Sequence, residues 1–373
     1  MRSRTIVAAV WLVALCAVAL PAGPAPASAR ATPEELQATL EDALRDTGAP
    51  GASAALVDDG ELVWSGVAGE RTLGGAPVAP GTRFITASAG KTVTAAMILR
   101  LADEGALSLG DRLAGYVPGI PGGGRIRIRN LLEHSSGLPD YLSSAEIWRT
   151  IQSEPAHEWT RGELFGVLGG LRFRPGSRVS YSNTNYVALG AVIEAVTGGS
   201  IEDAFHRLIA APLGLTDSSW RYDPGLFDDG AHPYRERRDG GLTDAWDDGF
   251  VPTHFVGEVW TDGGLATTGA DLARIANALV AGPLLSSRGR GQLLRFRERG
   301  FGRGIFRYRF DGRRIAGHDG LYEGFTAQHW TDPASGVTIA VLANLQARGA
   351  DPSWEIWRRL ARVATASRGA ARG

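Results

Sequence analysis

The order of strand and helix signals along the chain most constrains its fold, because strand patterns occur only near the two ends. Apolar segments at Ala52–Val57 and Leu62–Ala68 flank the turn Asp58-Asp59-Gly60 and predict an antiparallel hairpin. Strand-like segments return only late in the chain, at 301–310, 313–316, 324–330 and 337–342. These signals predict an α/β fold of the α+β type, in which one antiparallel sheet is assembled from both ends of the chain and flanked by helices.

Helical signals fill most of the remaining sequence. Thr32, followed by Pro33 and Glu35, is typical of an N-cap with a capping box and predicts a helix that ends near Gly48. Helical periodicity also occurs at 88–104, 145–152, 161–168, 186–196, 201–213 and 352–365. We therefore predict an α/β domain built from residues 30–110 and 256–373, with an inserted helical domain at 111–255.

The first 29 residues have the pattern of a secretory signal peptide. Met1-Arg2-Ser3-Arg4 gives a basic start, an uncharged run extends from Ile6 to Leu20, and Ala27-Ser28-Ala29 provides a small-residue cleavage site. The run is short for a bilayer-spanning helix, so we predict cleavage after Ala29 and a secreted, extracytoplasmic protein without stable membrane insertion; an uncleaved anchor is the alternative. Cys16, the only cysteine, lies in this segment, which leaves no disulfide or thiol chemistry for the mature chain.

Composition and spacing exclude several classes of function. The 39 basic and 40 acidic residues give a net charge of -1, so there is no basic footprint for nucleic acid. The histidines include no His-x-x-x-His pair and have no cysteine partner, so no metal site is expected. Gly300, Gly302 and Gly304 occur in a strand-like stretch without a following helix, so no dinucleotide cofactor is expected either. The remaining partner is a small molecule or a peptide that binds as a substrate.

The tetrad Ser88-Ala89-Gly90-Lys91 carries a chemical hypothesis. Two residues three apart on one helix lie on the same face, so Lys91 can reach the hydroxyl of Ser88. A serine is a poor nucleophile until a base takes its proton, and a lysine can be that base only when burial or a neighbouring cation lowers its pKa. Ser-x-x-Lys alone is frequent by chance, and an ordinary surface helix start is then the alternative.

Two further motifs accompany this tetrad in a recognisable order. Ser88-Ala89-Gly90-Lys91, Tyr181-Ser182-Asn183 and His318-Asp319-Gly320 resemble the three motifs of the penicillin-recognising serine hydrolases, specifically the branch of class C β-lactamases and D-Ala-D-Ala carboxypeptidases. The stretches 131–141 and 263–268 also resemble the usual sequence of this family. The resemblance covers nearly all of the chain after the signal segment. It implies a β-lactamase/transpeptidase-like fold with an inserted all-helical domain.

The resemblance implies catalytic roles for three residues. Ser88 is the nucleophile that becomes acylated, and Lys91 is its base. Tyr181 passes the proton to the leaving group, either as a phenolate or as a hydrogen-bond relay. A phenolate needs nearby positive charge, which Lys91 and His318 could supply. His134 is expected to be structural.

The resemblance also implies substrate-binding residues. Asn183 is expected to hydrogen-bond the substrate's amide, and the backbone N–H of Leu321 to complete an oxyanion hole with that of Ser88. Trp260 is a candidate for the wall of the cleft, with a core or surface position as the alternative. The third motif adds His318, Asp319 and Gly320.

The chain departs from the family pattern at two positions. Gly90 stands where the family commonly has threonine or a similar residue, so a side chain is lost there but neither the nucleophile nor the base is. Asp319 stands where the family commonly has Thr, Ser or Gly, and a hydroxyl at this position helps to hold a substrate carboxylate. An anion there repels such a carboxylate unless a cation offsets it. The candidates for this offset on the preceding predicted strands are Arg303, Arg307, Arg309, Arg313 and Arg314.

Several functions remain open from the sequence. A D-Ala-D-Ala carboxypeptidase or related peptidase acting on peptidoglycan stem peptides is the leading hypothesis. A β-lactamase, an esterase, and a D-amino-acid amidase or aminopeptidase whose free amino group Asp319 attracts are alternatives with the same chemistry. A non-catalytic wall-binding relative is the alternative from another class. An α/β-hydrolase is disfavoured, because Thr86-Ala87-Ser88-Ala89-Gly90 lacks the first glycine of Gly-x-Ser-x-Gly.

Overall fold

The computed structural model describes residues 31–154, 157, 159–220, 229–247 and 260–369. The predicted signal peptide and the predicted boundary between residues 255 and 256 lie outside the described residues. Within the described ranges, every helix is too short or too polar to cross a membrane.

The described helices are α1 (Pro33–Thr47), α2 (Lys91–Asp103), α3 (Ile128–Leu132), α4 (Ala145–Ser153), α5 (Arg161–Gly166), α6 (Thr184–Thr197), α7 (Ile201–Phe205), α8 (Ala211–Leu213), α9 (Gly269–Val280), α10 (Ser287–Leu293) and α11 (Pro352–Gly369). The described strands are β1 (Gly51–Asp58), β2 (Glu61–Gly69), β3 (Phe84–Ile85), β4 (Tyr234–Glu236), β5 (Leu242–Asp244), β6 (Ala266–Thr267), β7 (Phe306–Phe310), β8 (Arg313–Tyr322), β9 (Phe325–Thr331), β10 (Thr338–Ala343) and β11 (Leu345–Gln346).

Local sequence signals explain the N-terminal elements. Thr32 accepts a hydrogen bond from the backbone N–H of Glu35, and the Glu35 side chain accepts one from the backbone of Thr32, which is the predicted capping box. Gly48 ends α1 with a φ of 69°, a left-handed conformation that glycine adopts without strain. The chain then turns into the predicted β1–β2 hairpin.

Six antiparallel strands form the main sheet, in the order β2-β1-β10-β9-β8-β7. β1 pairs with β2 on one side and with β10, from the far end of the chain, on the other. The prediction of one antiparallel sheet assembled from both ends of the chain is therefore confirmed. β8, which carries the third motif, lies second from the edge.

Helices cover both faces of this sheet. On one face α1 packs against α11, and Leu40, Trp357 and Val341 of β10 belong to one buried cluster. On the other face α9 packs against β1 and β10, and the larger buried cluster there extends through α2 to α6. The start of α2, where the nucleophile was predicted, therefore lies between the sheet and the helical part of the chain.

The segment predicted to be helical, 111–255, also contains two short strands. The helices α3 to α8 lie inside it, but β4 and β5 join β11 in a separate three-stranded sheet. Three residues are too few for an alternating pattern to be distinguished from a loop. The segment is therefore mainly, and not wholly, helical.

The strand predicted over 301–310 begins only at Phe306. Gly304 has a φ of 83°, which turns the chain, and the preceding Arg303 is buried in an ion pair with Glu133. β8 is instead longer than the predicted 313–316 and includes the whole third motif. Because β8 packs against the turn that holds Ser88, this length brings the third motif to the nucleophile.

Candidate active site

Ser88 lies in a short 3-10 turn, Ala87–Gly90, that leads directly into α2. Ala87 has a φ of 47°, a conformation that residues other than glycine adopt at a cost and that is common at functional sites. The side chain of Thr86 donates to the carbonyl oxygen of Leu265 at 3.1 Å, which fixes the start of the turn. Ser88 is partly exposed while the residues on either side of it are buried, so its hydroxyl is the group that a substrate can reach.

Lys91 is the only lysine in the chain, and it is completely buried at the first position of α2. Its Nζ donates to Ser88 Oγ at 3.0 Å and to the carbonyl oxygen of Asp262 at 2.5 Å. Burial lowers the pKa of Lys91 below 10.5, while the charges of Asp262, Asp140 and Asp319 oppose this shift. Lys91 therefore combines contact with the nucleophile and a lowered pKa, as a general base requires.

Tyr181 lies three residues before α6, and its hydroxyl is hydrogen-bonded to the Ser88 side chain. The centroid of its ring is 5.3 Å from Lys91 Nζ, and the ring of His134 stacks on it with 4.3 Å between centroids. Burial raises the pKa of Tyr181 well above 10, so the hydroxyl is protonated at neutral pH. The raised pKa favours the hydrogen-bond relay over the phenolate.

The two histidines beside Tyr181 carry no positive charge at neutral pH. Burial, reinforced by the charge of Lys91, lowers the pKa of His318 to about 3 and that of His134 well below 6.5. The expectation that His318 could help to ionise Tyr181 is therefore wrong. Nδ1 of His134 accepts the backbone N–H of Ser182 at 3.2 Å, so this buried ring holds the segment that carries Tyr181.

Asn183 is the residue before α6 and has only part of its amide free for a substrate. Its Nδ2 donates to Asp140 Oδ2 at 3.0 Å, and its backbone N–H donates to the same oxygen at 3.2 Å. No donor among the described residues reaches Asn183 Oδ1. The amide is thus oriented by Asp140 and can offer its oxygen as a hydrogen-bond acceptor.

The third motif packs directly against the nucleophile turn. A Cβ atom on Gly320 would overlap the carbonyl oxygen of Thr86 and would lie 3.1 Å from the backbone nitrogen of Ser88, so only glycine fits. Leu321 follows on β8 and is 47% exposed. The oxyanion role of the Leu321 N–H stays a prediction.

The carboxylate of Asp319 is exposed and has no cationic arginine beside it in the described part of the chain. Its Oδ1 lies 3.7 Å from Nδ1 of His318, which is neutral. Arg303 is instead buried against Glu133. The idea that an arginine from the preceding strands offsets Asp319 is therefore wrong for all five described candidates: Arg303, Arg307, Arg309, Arg313 and Arg314.

The sequence reasoning missed Asp262, a buried carboxyl next to the base. Its Oδ1 lies 3.8 Å from Lys91 Nζ, and its Oδ2 accepts a hydrogen bond from the hydroxyl of Tyr141 at 2.9 Å. Burial raises the pKa of Asp262 to about 7, although Lys91 opposes the shift. The available signal was its position directly before Gly263, in a stretch that already resembled the family. In the described chain, no three acidic or histidine side chains form a group that could hold a metal ion.

Trp260 is not a wall of the cleft, so this prediction is wrong. The residue is only 3% exposed, the guanidinium of Arg161 lies 3.5 Å from its ring centroid, and Gly190 of α6 packs against the ring. Trp260 is a core residue that anchors the segment leading to Asp262.

Comparisons with known proteins place this site in a family. The family model described as Beta-lactamase matches residues 36–362. Penicillin-binding protein 4 of Amycolatopsis lactamdurans is 28% identical over 346 residues, which are 81% of this chain and 83% of that protein. The D-aminopeptidase of Brucella anthropi is 33% identical over 187 residues, 48% of this chain and 34% of that protein. The chain spans about a third of the length of several curated relatives that it matches.

Solved structures also resemble this fold. The crystal structure of a D-stereospecific amidohydrolase from Streptomyces sp. has a TM-score of 0.71 with this chain at 26% sequence identity, covering 86% of this chain and 96% of that one. The family model includes all three motifs and extends over most of the chain. The chain therefore belongs to the Beta-lactamase family of serine hydrolases.

Proposed function

We propose that the protein hydrolyses D-amino-acid amides or short peptides that carry a free α-ammonium group, through an acyl-enzyme on Ser88. The observation that carries this proposal is the exposed carboxylate of Asp319, inside the third motif and without an arginine partner among the described residues. A carboxylate in this position attracts an ammonium and repels the terminal carboxylate of a D-Ala-D-Ala peptide. The geometry therefore favours the amidase or aminopeptidase alternative over the carboxypeptidase.

The similarity to two named proteins supports the D configuration of the substrate. One relative is a D-aminopeptidase and one structural neighbour is a D-stereospecific amidohydrolase. Both names describe hydrolysis of an amide bond at a D-amino acid. We extend that specificity to this chain as part of the proposal.

The contacts around Ser88 suggest the course of the reaction. Lys91 takes the hydroxyl proton as Ser88 Oγ forms a bond to the substrate's carbonyl carbon. The carbon–nitrogen bond then breaks, and the proton passes from Lys91 through the neutral Tyr181 hydroxyl to the leaving nitrogen. Water hydrolyses the resulting ester and regenerates Ser88.

Three other residues orient the substrate in this scheme. Asn183 Oδ1 accepts a hydrogen bond from a substrate N–H, while Asp319 binds the ammonium. The backbone N–H groups of Ser88 and Leu321 hold the oxyanion, since Gly320 lets β8 approach the nucleophile turn.

The decisive experiment compares D-alanine p-nitroanilide with its N-acetyl derivative. The wild-type protein is expected to prefer the free amine, and Asp319→Asn should reduce that preference by about tenfold, which corresponds to about 1.4 kcal/mol for a partly screened charge pair. Ser88→Ala should abolish turnover of both compounds.

Glu61→Gln is the matched control. It removes one exposed carboxylate from β2, at the far edge of the sheet from the third motif, and should leave the preference unchanged. An equal preference in the wild type and Asp319→Asn, or faster wild-type turnover of an N-acylated D-Ala-D-Ala peptide than of D-alanine p-nitroanilide, would contradict the proposed substrate class.

The place of action is also a proposal. The basic, apolar and small-residue pattern of residues 1–29 supports export, so we infer that the enzyme acts outside the cytoplasm. N-terminal sequencing of protein recovered from the culture medium would test this, with Arg30 expected as the first residue.

A further inference from the structure

Asp262 lies where it can act on the base rather than on the substrate. Its side chain is 4% exposed and the side chain of Lys91 is fully buried, so both groups are shielded from solvent. Lys91 Nζ donates hydrogen bonds to Ser88 Oγ at 3.0 Å and to the Asp262 carbonyl oxygen at 2.5 Å, and Asp262 Oδ1 lies within ion-pair distance of it at 3.8 Å. Two hydrogen-bond acceptors and a nearby carboxyl oxygen stabilise a positive charge on Nζ, so this arrangement suits the protonated form of Lys91 that appears during the reaction.

The segment that carries Asp262 is fixed to the elements around the nucleophile. Thr94 Oγ1 on α2 donates to the carbonyl oxygen of Thr261 at 2.6 Å, and the backbone N–H of Gly264 donates to the carbonyl oxygen of Trp260 at 2.7 Å. The carboxyl group itself accepts a hydrogen bond from the hydroxyl of Tyr141, which lies 121 residues earlier in the sequence. Asp262 therefore has one defined orientation toward Lys91.

We propose that Asp262, held by Tyr141, is a positioning residue whose carboxylate stabilises the ammonium that Lys91 becomes when it takes the Ser88 proton. The proposal rests on the roles of Ser88 and Lys91 given above and adds a third member to that pair. Asp262 relates to Lys91 as the aspartate of a Ser-His-Asp triad relates to its histidine: it orients the base and stabilises the charge that forms on it. The proton leaves Ser88 Oγ, resides on Lys91 Nζ and continues to the leaving nitrogen.

Other charged and titratable groups also face this pair, so the effect of Asp262 has to be separated from theirs. The rings of Tyr181 and Tyr186 lie 5.3 Å and 5.8 Å from Lys91 Nζ. The remaining groups that act on Lys91 or Asp262 through their charge or titration are Asp140, Asp319, His134, His318 and Arg161. Among the described residues, none of these groups lies within ion-pair distance of Lys91, whereas Asp262 does.

The single lysine makes the proposal directly measurable. Protein labelled with ¹³C at the lysine ε carbon gives one side-chain signal, whose titration midpoint reports the pKa of Lys91 without any substrate. Asp262→Asn removes the charge and keeps the shape, so the midpoint should fall by about one pH unit or more. The acid limb of the pH profile of kcat should move down with it, and the plateau kcat should fall by about tenfold or more.

Tyr141→Phe gives a second, milder variant that tests the same link. It removes the hydrogen bond to Asp262 Oδ2 and so favours the neutral form of that carboxyl. The Lys91 midpoint should move in the same direction as in Asp262→Asn, by a smaller amount. This variant keeps the test valid if Asp262→Asn does not fold.

Asp271→Asn is the matched control, because Asp271 is also a 2% exposed aspartate with a hydroxyl partner, Ser218, and does not face Lys91. It should lower the melting temperature and leave the lysine signal unchanged. A midpoint in folded Asp262→Asn or Tyr141→Phe that equals the wild-type value would overturn the proposal, as would an equal shift in Asp271→Asn. The lysine signal is measured without substrate turnover. The proposal about Asp262 can therefore fail or hold separately from the proposed substrate class.

Discussion

Replacing Gly320 with alanine tests whether β8 positions the nucleophile. The new Cβ would overlap the carbonyl oxygen of Thr86 and would lie 3.0 Å from the backbone nitrogen of Ala89 and 3.1 Å from that of Ser88. Both sides of this contact are backbone, so no flexible side chain can move away. Either β8 or the nucleophile turn must therefore shift by about 1 Å to restore an ordinary van der Waals distance.

A shift of this size should affect activity more than folding. A misplacement of about 1 Å at reacting atoms reduces rates by about 100-fold, which equals about 2.7 kcal/mol of transition-state stabilisation. The cost in unfolding free energy for an overpacked methyl group is about 1–3 kcal/mol. We therefore expect Gly320→Ala to remain folded at 25 °C with kcat/KM reduced by about two orders of magnitude.

Activity is measured as kcat/KM on D-alanine p-nitroanilide and is corrected for the fraction of active sites that a fluorophosphonate titrates. Stability is measured by unfolding in urea. Gly291→Ala is the control, because Gly291 lies in α10 with no atom within 4 Å of the added Cβ, and alanine favours the helix. Gly320→Ala activity within about threefold of wild type would refute the argument that this close approach sets the position of Ser88.

Two predictions concern stability. Glu133→Gln removes a buried carboxylate that binds Arg303 at 2.7 Å and Arg297 at 3.0 Å. The free energy of unfolding, measured in urea, should therefore fall by about 3 kcal/mol. The control Glu298→Gln changes an exposed residue and should alter this free energy by less than about 0.5 kcal/mol. Burial lowers the pKa of His329 from 6.5 to about 3, so its contribution to stability is complete above pH 6.5 and is lost as the pH falls toward 3. His329→Gln should therefore gain about 2 kcal/mol relative to wild type between pH 7.5 and pH 5, and a constant difference over that range would be inconsistent with a neutral imidazole in the folded state.

Sequence patterns predicted the features that depend on neighbouring residues. The capping box at Thr32 and Glu35, the β1–β2 hairpin and the spacing of Ser88 and Lys91 all act over a few residues, and the structure has them in place. The short strands β4 and β5 were missed because three residues carry no readable period. Local patterns therefore predicted the contact between Ser88 and Lys91 but not everything that surrounds this pair.

Contacts between distant residues could not be read from the sequence in this way. Tyr141 and Asp262 are 121 residues apart and meet only because the segment from Trp260 to Gly264 folds over α2. Arg303 seemed available to Asp319 because the two are near in sequence, yet its guanidinium is bound to Glu133, 170 residues away. In both cases the decisive fact is which partner the tertiary fold supplies, and spacing carries no information about it.

The two aspartates of the site, Asp319 and Asp262, differ in what the fold places beside them. The side chain of Asp319 is 57% exposed and that of Asp262 is 4% exposed, so the first carboxyl is open to a substrate and the second faces Lys91. Mobile ions screen an exposed charge strongly and a buried pair weakly. Under the two proposals made above, added salt should therefore weaken the selection of an ammonium substrate by Asp319 more than the interaction of Asp262 with Lys91, which would separate the choice of substrate from the strength of the base within one site.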